Sequence, residues 1–399
     1  MNFNNRERFT FGDITEIIFS GGTPSTRVDK YWGGDINWLS SGETRNNFIN
    51  TTEKTITKEG VKNSSTRLAK KGDIVMASAG QGFTRGQVSY LHIDTYINQS
   101  IIAIRPNPNI LNNLYAYYNL KNRYEELRAM SDGHSIRGSI TIPMIKELEI
   151  DLPPILEQKE VANILHSLDK KIEINNKINF NLEELAQTLY KHWFVDFEFP
   201  NEEGLPYKSS GGEMVDSELG NIPEGWIIYN QGDFSPVITG KKNANIATSN
   251  GDYKFFTCGQ EPLLTDDFSF DAEAILVAGN GDFNVKYYRG KFEAYQRTYV
   301  LIPHISKLTP LLYFSIKNNL NEITKGHRGS VIKFITKGDL ENYKLALPIK
   351  EKLLALSSVF TTILNKITTI KEENEKLANI RDLLLPKLMS GEIRVPVEE

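Results

Sequence analysis

Two glycine-rich stretches of the sequence carry side chains that are suited to hydrogen bonding with the edges of DNA bases. Arginine, glutamine and asparagine can form paired hydrogen bonds to purine edges, and glycines let backbone amides approach phosphates. Residues 78–89, SAGQGFTRGQVS, offer the candidates Gln81, Thr84, Arg85 and Gln87. Residues 278–291, AGNGDFNVKYYRGK, offer the candidates Asn280, Asn284, Lys286, Arg289 and Lys291. The alternative is that each stretch is an ordinary surface hairpin.

A second pair of stretches combines glycine, histidine, arginine and serine shortly before an apolar run that ends in proline. These stretches are GHSIRGS (133–139) and GHRGS (326–330). Such side chains commonly contact phosphates or base edges. The candidates for these contacts are His134, Ser135, Arg137, His327, Arg328 and Ser330. The alternative is a turn whose polar groups are satisfied by its own side chains.

Motifs of the common catalytic and cofactor sites are absent from the sequence. It contains no GxxxxGK[ST] loop, no GxGxxG that opens a helix after a strand, no HExxH and no GxSxG. The single cysteine, Cys258, excludes a cysteine-based zinc site and an internal disulfide framework. The six histidines are scattered along the chain. We therefore expect no catalytic residue, no metal site and no cofactor in this chain.

Length, composition and charge predict a multidomain globular protein. The chain of 399 residues is long enough for two or three domains, and it has no run of 18 apolar residues that would predict a membrane span. The first residues lack the apolar core of a secretory signal, so we expect a cytoplasmic protein. The net charge is −4, but residues 1–150 and 226–349 are mildly basic while residues 151–225 are acidic. This pattern is compatible with two anion-binding surfaces and also with ordinary fluctuation.

An internal repeat organises the chain. Residues 135–153 match residues 330–348 at a constant offset of 195, and both stretches end in an apolar run closed by proline. Two upstream matches keep the same order, 73–82 with 274–283 and 97–106 with 294–303. Each half combines β-rich runs with a helical pattern, around 113–129 and 310–322. We therefore predict a duplication of one mixed α/β globule.

A long helical pattern follows each closing proline. One heptad position is apolar at nine of ten places, which predicts a coiled-coil seam. The seam residues are Val161, Leu168, Asn175, Leu182 and Leu189 in the first helix and Leu356, Ile363, Ile370, Leu377 and Leu384 in the second. The companion positions three residues further on are less regular. They include the apolar residues Ile164, Ile178, Leu185, Val359 and Ile380, but also Lys171, Lys366 and Glu373. We expect the two helices to pack on each other, with Asn175 either fixing their register or marking a solvated break.

The predicted boundaries follow from these patterns. They are 1–152 for the first globule, 153–197 for the first long helix, 198–212 for a linker, 213–348 for the second globule, and 349–399 for the second long helix and tail.

Several segments resemble the specificity (S) subunit of a Type I restriction-modification system. They are FSGGTPS (19–25), YWGGDINWLSSGE (31–43), KKGDIVMASAG (70–80), the run from 152 to 197 that ends in WFVDF, GEMVDSELGNIPEGW (212–226) and RDLLLPKLMSGEIRV (381–395). The resemblance extends over nearly the whole chain in the order of the family. Two departures are that the first globule lacks a clear counterpart of SELGNIPEGW, and the second lacks one of YWGGDINWLS.

This resemblance implies two α/β target recognition domains joined by two long antiparallel coiled-coil helices. Each domain would bind one half of a split double-stranded DNA sequence, and the helices would fix the gap between the half-sites. The helices would also dock two methyltransferase (modification) subunits, which restriction subunits with translocase and nuclease activity would join. S-adenosylmethionine, ATP and magnesium would belong to those partners. The chain itself would be no enzyme and would bind no membrane.

A structural scaffold is the main alternative. In that case, coiled-coil arms would carry two globules that bind protein rather than DNA, and the mild net acidity favours this slightly. Salt dependence separates the two hypotheses, because phosphate contacts make affinity fall steeply with salt.

Overall fold

The computed structural model describes residues 6–80, 82–132, 138–326, 328 and 333–396. The chain forms two compact units. Unit 1 comprises Met1–Ile174 together with Asn374–Glu399, and unit 2 comprises Asn175–Glu373. Unit 1 is therefore built from both ends of the chain, and each long helix contributes one segment to each unit.

Unit 1 combines three sheets with short helices. Its strands are β1 (Glu7–Thr10), β2 (Thr15–Ser20), β3 (Trp32–Leu39), β4 (Phe48–Ile49), β5 (Lys54–Ile56), β6 (Arg67–Ala69), β7 (Ile74–Ala77), β8 (Val88–Leu91), β9 (Thr95–Ile97), β10 (Ile101–Pro106) and β11 (Glu149–Leu152). Its short helices are α1 (Lys58–Lys62), α2 (Asn113–Asn122), α3 (Tyr124–Asp132) and α4 (Ile142–Glu147). The sheet orders are β2-β10-β7-β8-β4, β5-β3-β9-β6 and β1-β11.

The central strand β7 is buried on both faces of its sheet. Its continuous apolar sequence IVMA predicts this, because successive side chains of a strand point to opposite faces. Ile74 and Met76 belong to the core that includes Tyr115 of α2. Val75 belongs to the core that includes Leu39 of β3. The strand is thus the middle layer between helices and a second sheet.

A first long helix, α5 (Ile155–Tyr190), connects the units and ends in a single π-helical turn, Lys191–Val195. Unit 2 follows with the strands β12 (Met214–Ser217), β13 (Gly220–Pro223), β14 (Ile227–Asn230), β15 (Val237–Thr239), β16 (Tyr253–Phe256), β17 (Leu263–Thr265), β18 (Phe270–Ala278), β19 (Val285–Ala294), β20 (Thr298–Leu301) and β21 (Lys344–Leu347). Its short helices are α6 (Thr309–Asn318), α7 (Leu320–Thr324) and α8 (Lys337–Glu341), and the second long helix is α9 (Lys350–Ser390). The sheet orders are β15-β20-β18-β19-β16-β17, β12-β13 and β14-β21.

The two units repeat one backbone scaffold. Strands β2-β10-β7-β8 of unit 1 correspond to β15-β20-β18-β19 of unit 2, and the pair β1-β11 corresponds to β14-β21. The same connections recur in detail. Ser78 N–H donates to the Ser100 carbonyl at 2.9 Å in unit 1, and Gly279 N–H donates to the Arg297 carbonyl at 2.7 Å in unit 2. The structure therefore confirms the predicted fold class of two mixed α/β domains that arose by duplication, with two long helices.

The helix predicted in each globule occurs as two shorter helices. The predicted segment 113–129 contains α2 and most of α3, and the predicted segment 310–322 contains most of α6 and α7. Side-chain caps mark some of these ends. For example, Asn112 accepts a hydrogen bond from the Tyr115 N–H at the start of α2.

The long helices run in opposite directions within each unit. In unit 1, Leu165 near the start of α5 shares a core with Leu388 near the end of α9. In unit 2, Tyr190 at the end of α5 shares a core with Phe360 near the start of α9. Helix α9 is long and apolar enough to span a membrane by length and composition, but its apolar side chains contribute to these cores.

The predicted seam positions all lie on the packed faces of the helices. The buried ones are Val161, Asn175, Leu356, Ile363 and Ile370, and the half-buried ones are Leu168, Leu182, Leu189, Leu377 and Leu384. The apolar residues at the irregular companion positions of α5, Ile164, Ile178 and Leu185, are exposed. Buried residues lie instead four places after three of the α5 seam positions, at Leu165, Asn179 and Ala186.

Asn175 is a buried member of the seam. It is 1% exposed, and its Nδ2 atom donates to Glu373 Oε2 of α9 at 2.9 Å. It is therefore no solvated break in the helix. Buried polar pairs of this kind can fix helix register, and that role of Asn175 stays a prediction.

Candidate nucleic-acid interface

The first glycine loop connects β7 to β8 and closes as a wide hairpin. The Ala77 N–H donates to the Gln87 carbonyl at 3.0 Å, and the Gly86 N–H donates to the Ala77 carbonyl at 2.9 Å. Gly82 and Gly86 have φ angles of 66° and 87°, which residues with a Cβ rarely adopt. The loop can therefore fold back and bring its backbone against α3.

Helix α3 holds the tip of the first glycine loop. The Tyr124 hydroxyl donates to the Phe83 carbonyl at 2.8 Å, and Arg128 Nη1 donates to the Gly82 carbonyl at 2.6 Å. A Cβ on Gly86 would lie 3.4 Å from Arg128 Cγ, so the loop backbone and the helix are in contact. The Phe83 side chain, in contrast, is 79% exposed.

The candidate residues of the first loop differ in exposure. Arg85 is 8% exposed, and its guanidinium lies against Gly138, where an added Cβ would be 2.1 Å from Arg85 Nη1. Thr84 and Gln87 are half-buried, and Gln81 lies outside the described residues. Arg85 therefore connects the loop to a neighbouring segment of unit 1. Base contact by these residues stays a prediction.

The second glycine loop connects β18 to β19 and is shorter than the first. The Ala278 N–H donates to the Asn284 carbonyl at 3.0 Å, which closes the turn four residues earlier than in unit 1. Asn284 is 8% exposed, and its Nδ2 atom donates to the Cys258 and Asp282 carbonyls at 2.8 and 2.9 Å. Its amide thus holds the loop to the segment after β16.

Lys286 follows Asn284 and also bonds within unit 2. Its Nζ atom donates to the Thr257 carbonyl at 3.3 Å, and burial lowers the pKa of the Lys286 ammonium. Asn280, at the turn itself, is half-buried. The structure therefore gives Lys286 and Asn284 bracing contacts inside the unit, and a nucleic-acid contact by either stays a prediction.

Further along β19, two candidates are exposed. Arg289 and Lys291 point to the same face of the strand, since they are two residues apart. Across the ladder they lie opposite Glu273 and Asp271 of β18. The Lys291 Nζ atom also lies 4.8 Å from the centre of the Phe268 ring. This strand therefore presents two cations to solvent, each with an acidic neighbour that weakens its field.

Arg328 is the one glycine–histidine candidate within the described residues. It is exposed, and its Nη1 atom lies 2.8 Å from Asp339 Oδ2. Burial raises the pKa of Asp339, but hydrogen bonds from Arg328 and Thr336 outweigh it and lower the pKa overall. The other candidates of these two stretches lie outside the described residues, and they are His134, Ser135, Arg137, His327 and Ser330.

The residues that shape the first loop are not among the candidates that its sequence pattern indicates. Phe83 is its most exposed apolar side chain, and Tyr124 and Arg128 of α3 anchor it. A single aromatic residue between glycines in an otherwise polar loop was the available signal for Phe83. No pattern in the sequence connects that loop to α3, because the contact spans about forty residues of chain.

Cavities and metal-ligand clusters do not suggest another site. An open groove of 660 Å³ in unit 1 is lined by Arg8 and Arg123, but Arg8 is paired with Asp151 and Arg123 with Glu126. Within the described ranges, no three His, Cys, Asp or Glu side chains are grouped to hold a metal ion. The loops and strand faces above therefore remain the candidate site.

The long helices also carry apolar side chains that are exposed in this chain. On α5 these are Leu156, Ile164, Ile174, Ile178, Phe180 and Leu185, and on α9 they are Val359, Ile380 and Leu383. These side chains are available for contact with another protein, because none of them belongs to the cores of the two units.

Comparison with known proteins assigns the family. The family described as "Type I restriction modification DNA specificity domain" matches residues 4–184 and 223–379. The MjaIX specificity subunit of Methanocaldococcus jannaschii is 28% identical, and the alignment covers 96% of this chain and 92% of the relative. The EcoDI specificity subunit of Escherichia coli is 37% identical over 178 residues, which are 44% of this chain and 40% of the relative.

A solved structure agrees with this assignment at the level of the fold. The crystal structure of a Type I restriction-modification S subunit from M. genitalium superposes with a TM-score of 0.61 at 18% identity, covering 97% of both chains. The matched family segments include most of the present chain and fall on its two repeated units. The chain therefore belongs to the family of Type I restriction-modification specificity subunits.

Proposed function

We propose that this chain is the DNA-recognition subunit of a Type I restriction-modification complex. It binds a bipartite double-stranded target, with one half-site for each target recognition domain. One observation carries the proposal. The chain belongs to this family, and both of its units contain the same sheet with a glycine loop after the corresponding strand. Two different loops on equivalent scaffolds suit two different half-sites.

The partners proposed for this chain are two methyltransferase subunits, which restriction subunits join. The exposed apolar side chains of α5 and α9 support the docking of a partner, because they form no part of either core. The chain itself catalyses nothing in this proposal. S-adenosylmethionine, ATP and magnesium are held by the partner subunits, and the complex acts in the cytoplasm.

The scaffold alternative has one observation in its favour. Arg289 and Lys291 lie opposite carboxylates, and Arg85 and Asn284 are buried, so few of the candidate side chains offer an uncompensated donor. Globules that bind protein rather than DNA would be expected to show weak salt dependence. A DNA-binding complex should lose affinity steeply as salt increases.

Selection from a random duplex library tests the proposal. The chain, together with its methyltransferase subunit, is mixed with the library at moderate salt, and the bound fraction is sequenced. Two short motifs at a fixed separation would support bipartite recognition, whereas one motif would mean that a single domain recognises bases. No enrichment by a complex that has demonstrably assembled would favour the scaffold.

Arg289→Ala then tests base recognition by β19. Arg289 is exposed on the target recognition domain of unit 2, so we expect the variant to lose about 1–3 kcal/mol of discrimination at one base position of one half-site. Lys291→Ala is the matched control on the same face. If Lys291 contacts phosphate, its loss should weaken all sequences alike and reduce the salt dependence. Uniform weakening by Arg289→Ala would contradict base recognition by that residue.

A further inference from the structure

Phe83 is the most exposed of the large apolar side chains in the described part of the chain. Its exposed fraction is 79%, above the 68% of Leu383 and the 66% of Phe180, which both lie on the long helices. An aromatic ring in water gains nothing for the fold of the free chain. The position of this ring therefore calls for an explanation outside the core.

The backbone that carries Phe83 is fixed on both sides. The Tyr124 hydroxyl bonds the Phe83 carbonyl itself, and Arg128 bonds the Gly82 carbonyl before it. After it, Arg85 is buried with its guanidinium against Gly138. The loop is thus braced in a shape that holds the ring outward. A ring that is held in place loses little conformational freedom when it binds.

The surroundings of the ring favour an anionic ligand with apolar faces. Residues 74–93 contain no acidic residue, and the Arg128 guanidinium of α3 lies beside the loop, where it bonds the Gly82 carbonyl. A guanidinium next to an exposed aromatic ring suits the stacked bases and phosphates of DNA. An acidic border would have suited a basic protein surface instead.

The equivalent loop of unit 2 lacks this feature. Its turn closes four residues earlier, and its aromatic residue, Phe283, packs against the core of unit 2. The exposed ring is therefore a property of one loop and is not required by the shared scaffold.

We propose that Phe83 is an apolar wedge that packs into a base step of the half-site bound by unit 1. This proposal rests on the proposed function, because it concerns how the same domain recognises DNA. The ring partly unstacks the step, and the discrimination at that position depends on how easily the step deforms. The half-site bound by unit 2 is recognised without such a wedge.

The test uses the assembled complex of the full chain with its methyltransferase subunits and the duplex selected above. We expect Phe83→Ala to lower affinity about tenfold, as for loss of one base–aromatic contact, and Phe83→Trp to retain it. In the wild-type complex, 2-aminopurine placed at each position in turn should become fluorescent at one step of the unit 1 half-site, in addition to the bases that the methyltransferase subunits extrude. That signal should be lost in Phe83→Ala.

A mismatch at the same step provides a readout that a purely structural role would not change. Because the mismatched step is already partly unstacked, the wild type and Phe83→Ala should differ less on this duplex than on the matched one. Leu205→Ala is the control, since it removes an exposed apolar side chain that lies outside both glycine loops and both long helices. We expect that variant to leave the fluorescence signal unchanged.

Three outcomes would overturn the proposal. Unchanged DNA affinity and fluorescence in Phe83→Ala would exclude a wedge. Loss of subunit assembly with normal DNA affinity in Phe83→Ala would mean that Phe83 contacts a protein subunit. The variant Phe83→Leu, which keeps an apolar side chain, would show whether the loop itself had been damaged. If the wild-type complex enriches no sequence, the proposed function fails first, and the wedge fails with it.

Discussion

Each unit contains the same kind of sheet, but the side chains that bind the long helices to it differ between the units. In unit 1 the contact includes a buried polar cluster beside the apolar core of Leu165 and Leu388. Asp169 of α5 is 3% exposed, and it accepts hydrogen bonds from Arg381 of α9 at 2.6 Å and from the Tyr118 hydroxyl at 2.7 Å. Burial, followed by the charge of Asp169, raises the pKa of Tyr118. A charged group at this depth is stable only because both of its partners are in place.

In unit 2 the contact includes a cluster of aromatic rings, beside the ion pairs of Glu183 with Lys317 and Lys371. The Tyr190 ring stacks on Phe194 with centroids 5.2 Å apart, and Phe360 of α9 lies against both rings. The Tyr190 hydroxyl lies 2.9 Å from the Ser315 hydroxyl. The two units therefore keep the same backbone contacts after duplication, whereas the side chains between sheet and helices differ, as those of the loops do.

Replacement of Asp169 should have the largest effect. We expect Asp169→Ala to lower the free energy of unfolding by about 3 kcal/mol, because it leaves Arg381 Nη1 and the Tyr118 hydroxyl buried without their acceptor while Asp382 still pairs with the guanidinium. Hydrogen exchange measured by peptide should show the loss in unit 1, with unit 2 protected nearly as in the wild type.

Asp382→Ala is the matched control for that variant. Asp382 also pairs with Arg381, but its side chain is 59% exposed, so we expect a loss of about 1 kcal/mol or less. Equal losses in the two variants would mean that the buried pair does not stabilise unit 1. A loss of protection that is as large in unit 2 would mean that the polar and aromatic contacts are not independent.

A smaller effect is expected from exchanging one residue of the shared scaffold. Ser78 and Gly279 occupy the same place after β7 and β18, but a Cβ on Gly279 would lie 2.7 Å from the Arg297 carbonyl oxygen and 2.7 Å from Tyr299 Cε2. We expect Gly279→Ser to cost about 1–3 kcal/mol through overpacking, measured by denaturant unfolding. Ser78→Gly should cost less, since it removes atoms without creating a clash.

Tyr299 supplies the second half of that test. It pairs across the sheet with Val277, as Ile102 of unit 1 pairs with Met76. Tyr299→Ile should therefore cost less in the Gly279→Ser background than alone, with a coupling of about 0.5–3 kcal/mol. If the two losses simply add, the small residue Gly279 and the large residue Tyr299 do not depend on each other.

The sequence predicted the features of the fold that depend on local periodicity. Adding the constant offset of 195 to the bounds of β11 gives those of β21, and adding it to the start of α5 gives the start of α9. The closing proline sets the boundary between strand and helix in both halves. The seven-residue spacing also identified helix positions that are buried or half-buried, and their role as a coiled-coil seam stays a prediction. Apolar residue type alone does not identify the second packed row of α5. Ile178 is exposed, whereas Asn179 and Ala186 face the packed side.

The candidate site was less predictable. Residue type shows that Arg85 and Asn284 can donate hydrogen bonds, but it does not show whether the acceptor is DNA or the protein itself. Glycines allow both loops to fold back onto their own units. The contacts that hold them there come from α3 in unit 1 and from the segment after β16 in unit 2. Such contacts are distant in sequence, so a motif cannot reveal them.

The smallest expected difference between the units is in how their stability responds to a lower pH. His166 of α5 lies in unit 1, its Nδ1 atom is buried without a hydrogen-bond partner among the described residues, and its ring lies 6.4 Å from the His92 ring. Burial, followed by the charge of His92, lowers the pKa of His166. Lys170 acts in the same direction, while Asp169 and Glu173 oppose it.

The lowered pKa of His166 fixes the direction of the pH effect. The unfolded chain binds more protons than the folded unit near and below the usual histidine pKa of about 6.5. The stability contributed by neutral His166 is therefore present above that pH and is lost as the pH falls through the lowered, folded-state pKa. We expect the hydrogen-exchange protection factors of unit 1 to fall on acidification more than those of unit 2, where Thr361 occupies the equivalent place on α9. His166→Gln should reduce this dependence, whereas His192→Gln, at an exposed position beyond the end of α5, should not. An identical acid response of His166→Gln and the wild type would assign the sensitivity to another group.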